Sequence, residues 1–109
     1  MHANQIKERF SGVAKSIDNA SLACQLSNGV PEDLRERIND LGKESEHTRQ
    51  ILENENNVNR IAECIDTLEK LGDRAIQTCR QDGNAVDEEL QKALSDAHDA
   101  IAQLKHQLH

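Results

Sequence analysis

The chain has 109 residues, 30% of them charged, and a net charge of −7. One Phe and no Trp or Tyr leave no aromatic platform for stacking on single-stranded nucleic acid and no cage for a cationic ligand. The acidic balance argues against a phosphate backbone, which is held by clustered Lys and Arg, and no stretch reaches the roughly 18 apolar residues of a membrane span.

This length predicts one domain over 1–109. The opening MHANQIKERF lacks the basic start and apolar core of a signal peptide. The three cysteines, an odd number lying inside helical patterns, fit reduced thiols better than a disulfide framework. Cytoplasmic residence is the expectation.

The first helix is expected over about 4–27. Ile6, Phe10, Val13, Ile17, Ala20 and Cys24 recur at alternating steps of four and three, which places them on one helical face. Ser27-Asn28-Gly29 ends it, with Gly29 suited to a left-handed cap. From Ser16 to Gly29 the only charge is Asp18.

Pro31 opens a second helix over about 31–54, where its missing N–H costs nothing, and Glu32 and Asp33 complement the helix dipole. Its stripe is Leu34, Ile38, Leu41, Ser45, Thr48 and Leu52, with Ile51 beside it. Ser45 and Thr48 are small enough to face Phe10, and their hydroxyls can bond carbonyls of the preceding turn.

The third helix, about 57–81 with Asn57 as its cap, carries Val58, Ile61, Ile65, Leu68, Gly72, Ala75 and Cys79 on one face. Cys64 falls on its flank. The fourth, about 85–108, is expected to be capped by Asn84. It carries Leu90, Leu94, Ala97, Ile101, Leu104 and Leu108. Four helices of similar length joined by short turns predict an all-α fold, a single antiparallel up-down-up-down four-helix bundle.

Few residues suggest chemistry. Cys24 and Cys79 end the first and third stripes at the same end of the bundle, but those helices are diagonal, too far apart for a disulfide without local closure. Both read as buried small hydrophobes, with a redox or metal role as the alternative. Glu44-Ser45-Glu46-His47 holds one Glu-x-x-His, the element di-iron bundles use twice. The matching Ser95-Asp96-Ala97-His98 has serine for glutamate, and His47 falls outside the stripe, in solvent. His98 borders the core and is expected half-buried. His2, His106 and His109 converge where the termini meet and suit weak adventitious metal binding.

No glycine-rich phosphate loop exists, and no nucleophile, base and oxyanion donors are arranged together. No catalytic residue, cofactor or dedicated metal ligand set is expected. Leu22 and Leu26, one turn apart, point away from the core stripe in the nearly uncharged half of the first helix. That is how a partner or dimer contact looks, although Leu26 could instead pack under Val30. The expected function is a non-enzymatic bundle acting by protein contact through the first helix, with either another protein or a second copy of itself as the partner. The alternative is a thiol- or metal-dependent sensor on Cys24 and Cys79 or on the terminal histidines.

Overall fold

A computed structural model describes residues 3–54, 58–81 and 86–108. Four helices run in order: α1 (Ala3–Leu26), α2 (Glu32–Asn54), α3 (Val58–Gln81) and α4 (Glu88–Leu108). Each packs along its length against the two helices flanking it, while the diagonal pairs barely touch. Principal-axis extents of 42 × 21 × 18 Å match helices of about 24 residues at 1.5 Å per residue, standing side by side. The four-helix bundle is as the sequence predicts. Among the described residues, no helix is long and apolar enough to cross a membrane.

The helix ends have local causes. At the end of α1 the Ser27 backbone N–H and hydroxyl both donate to the Ala23 carbonyl, at 3.0 and 2.7 Å. Gly29 then turns the chain with φ of 72°. The Pro31 carbonyl accepts the Arg35 N–H at 3.0 Å, so Pro31 sits just before α2 rather than inside it. Asp33 accepts the Leu34 N–H at 2.9 Å and satisfies one of the donors left over in the first turn.

The start of α4 departs from expectation. Val86 is not helical, and the Asp87 carbonyl accepts the Gln91 N–H at 3.0 Å, so α4 begins at Glu88. Val86 is buried against the end of the bundle, so the helix begins only after that side chain is seated. The Gln91 side chain reaches back to the Val86 carbonyl at 2.8 Å and fixes this entry. Asn57 and Asn84 lie outside the described residues.

The predicted stripes of α1 and α2 are buried throughout, and that of α4 from Leu90 to Leu104. On α3 two positions differ. Val58 is 41% exposed, and Cys64, expected on the flank, is buried at 7%. Ile61, Cys64, Ile65 and Leu68 form a wider stripe of the i, i+3, i+4, i+7 kind, because α3 turns its Cys64 edge toward α2. Thr48 is fully buried, and its hydroxyl donates to the Glu44 carbonyl at 2.8 Å, as a threonine in a helical core must.

The core divides into two clusters that draw their bulk differently. Near the chain termini all four helices contribute large residues, such as Phe10 and Ile17 of α1, Leu41 and Leu52 of α2, Ile61 and Leu68 of α3, and Ile101 and Leu104 of α4. Between them α2 also buries Ser45 and Thr48, and α4 buries Ala97. At the other end, α1 and α3 contribute only Ala20, Cys24, Ala75 and Cys79, and α2 and α4 fill the space with Leu34, Ile38, Leu90 and Leu94.

Glycines in the helices test the packing. A Cβ added at the exposed Gly12 has nothing within 4 Å, whereas Gly29 holds a positive φ. Gly12→Ala is expected to raise stability by about 0.5–1 kcal/mol, and Gly29→Ala to lower it by about 1–2 kcal/mol. Urea unfolding of the two variants checks both signs.

Candidate functional site

Leu22 and Leu26 project from the C-terminal half of α1, 53% and 75% exposed. Leu26 does not pack under Val30, which is buried without it. The neighbouring core-facing positions Ala20 and Cys24 are small, so the helix presses close to the bundle and leaves both leucines outside. Across Ser16 to Gly29 only Asp18 is charged, which leaves this face apolar and polar-neutral on a protein that is otherwise densely charged.

None of the three cysteines forms a disulfide, and all are buried. Cys24 and Cys79 share the cluster at the α1 C-terminal end, as the topology predicts. Burial pushes the Cys24 thiol above its ordinary pKa, and Arg35 opposes this only in part. That shift works against thiolate formation and the reactivity that depends on it.

Histidines occupy three settings. His98 is half-buried, and its Nε2 lies 2.6 Å from Asp73 Oδ1, which ties α4 to α3. A Cβ added at Gly72 would lie 3.9 Å from this ring, so the glycine brings the two helices together beside it. Lys105 continues that seam, 2.7 Å from Glu69 and 3.6 Å from Asp66. His106 is exposed in the last turn of α4, while His2 and His109 lie outside the described residues.

His47 is solvent-exposed, as expected, but it is not isolated. Its Nδ1 is 3.5 Å from Glu44 Oε1, one turn back on α2. Together with Cys64 of α3 these form the one group of three metal-donor side chains among the described residues, with their donor atoms all within 4.8 Å of one another. The group lies in an open groove of about 480 Å³ between α2 and α3, bordered by Asn59, Arg60 and Glu63. Burial raises the Cys64 thiol above its ordinary pKa, and the negative charge of Glu44 adds to this, while a hydrogen bond with Thr48 works the other way. Two members carry a visible sequence signal, the Glu-x-x-His spacing. The third does not, since its arrival depends on how α3 is rotated against α2.

Compared with known proteins, the chain matches no family, no curated protein and no solved structure.

Proposed function

We propose that the protein is a non-enzymatic helical bundle that works by protein contact, as a homodimer joined through the C-terminal half of α1. The observation that carries this reading is the exposure of Leu22 and Leu26 on a half-helix with one charge. Two copies of a chain with net charge −7 repel across most of their surfaces. They meet at least Coulombic cost where the charge is absent and apolar area is already exposed. Three buried cysteines, an odd number, suit a reducing compartment, in keeping with cytoplasmic residence.

The test is Leu22→Glu combined with Leu26→Glu. Both side chains are exposed, so helicity by circular dichroism is expected to stay unchanged. Light scattering is expected to report a dimer for the wild type and a monomer for the double variant. A dimer that survives both substitutions would contradict the assigned face.

A further inference from the structure

The groove between α2 and α3 carries a donor set that suits a zinc-type divalent cation. The geometry points to Glu44, His47 and Cys64 as three ligands of one tetrahedral site, with water or an external donor in the fourth position. Carboxylate oxygen, imidazole nitrogen and thiolate sulfur are the three protein donors that Zn²⁺ accepts, and catalytic or exchangeable zinc sites hold the ion through three of them.

The spacing is close to what such an ion needs. Bond lengths of about 2.0–2.3 Å and tetrahedral angles put neighbouring donors about 3.3–3.7 Å apart. Glu44 Oε1 and His47 Nδ1 are already separated by 3.5 Å. All three donors fall within 4.8 Å, so closure needs a contraction of about 1 Å, within reach of side-chain rotation. Glu44 and His47 are held in register by one helical turn, and Cys64 is seated by its burial beside Thr48.

Charge supports the same occupant. Glu44 and a Cys64 thiolate neutralise a divalent cation, and the remaining charged groups facing the site, Arg60 and Glu63 of α3, offset each other. As the metal–sulfur bond forms, the thiol proton leaves to solvent, with no change in oxidation state. The exposed His47 and the open groove supply the entry path.

The experiment is titration of the full-length, reduced protein with Co²⁺, which reports a thiolate ligand by charge-transfer absorption and tetrahedral geometry by intense visible bands. One equivalent is expected to bind with both signatures and to be displaced by Zn²⁺, which binds such sites more tightly. Cys64→Ala is expected to abolish the charge-transfer band. His47→Ala, at an exposed position that leaves the fold intact, is expected to weaken binding at least about tenfold. Cys24→Ala is expected to leave both signatures in place. Binding without a thiolate band, as terminal histidines would give, overturns the proposal. So does a band that survives Cys64→Ala, or an affinity unchanged in His47→Ala.

Discussion

Phe10→Ala is expected to destabilise the bundle by about 3–5 kcal/mol, the cost of deleting a buried aromatic ring. Phe10 is the one aromatic of the chain and is 2% exposed. It shares its cluster with large residues of the other three helices, among them Leu52 of α2, Ile61 of α3 and Leu104 of α4. The nearby Ser45 and Thr48 of α2 are short, and the Thr48 hydroxyl is tied to the Glu44 carbonyl, so neither can fill the space the ring leaves. Small domains unfold with about 5–15 kcal/mol, so this variant would lie close to its transition under native conditions. Phe10→Leu, which keeps much of the volume, is expected to lose less than about 1.5 kcal/mol. Urea unfolding measures both. A loss below about 1 kcal/mol for Phe10→Ala would mean that the ring is not the keystone of its cluster.

The second large effect belongs to the opposite end, where bulk comes from α2 and α4. Leu94→Ala is expected to cost about 2–5 kcal/mol. Ala75→Leu, into a site with no exposed surface, is expected to cost about 1–3 kcal/mol by overpacking. Gly72 lies against His98 and Ile101, and Asp73 against His98, a register that brings Ala75 level with Leu94. The double variant transfers bulk from α4 to α3 within one cluster. It is expected to lose less than the sum of the two single changes, with a coupling of about 0.5–3 kcal/mol. Strict additivity would show that the two positions do not share space.

Much of this fold is readable from residue order because most faces are narrow. α1, α2 and α4 place one apolar or small residue per turn toward the centre, and a 3.6-residue period fixes that face without knowledge of the neighbours. α3 is harder. Val58 and Cys64 are alternatives for the edge of its stripe, and only the rotation of α3 against α2 decides between them. That rotation buries Cys64 and leaves Val58 41% exposed. The start of α4 escapes for a similar reason. Val86 is buried ahead of the helix, and the bond to the Asp87 carbonyl opens it, which residue order alone does not signal.

The two surface features differ in the same way. Leu22 and Leu26 are apparent in the sequence, since they fall off a clear stripe within an uncharged segment, and both are exposed. The groove is half apparent. Glu44 and His47 stand at a ligand-like spacing, but Cys64 joins them only through α2–α3 packing. A search for a repeated Glu-x-x-His looks along single helices, and the third donor comes from a different one.

The central claim is that the sparsely charged C-terminal half of α1 joins two copies of the chain, and sedimentation equilibrium over a wide concentration range tests it most directly. The expected result is a reversible shift from the 12.2 kDa of one chain toward twice that mass as concentration rises. The shift should be enhanced by salt that screens repulsion between acidic surfaces. A mass of one chain at every concentration and ionic strength would contradict it.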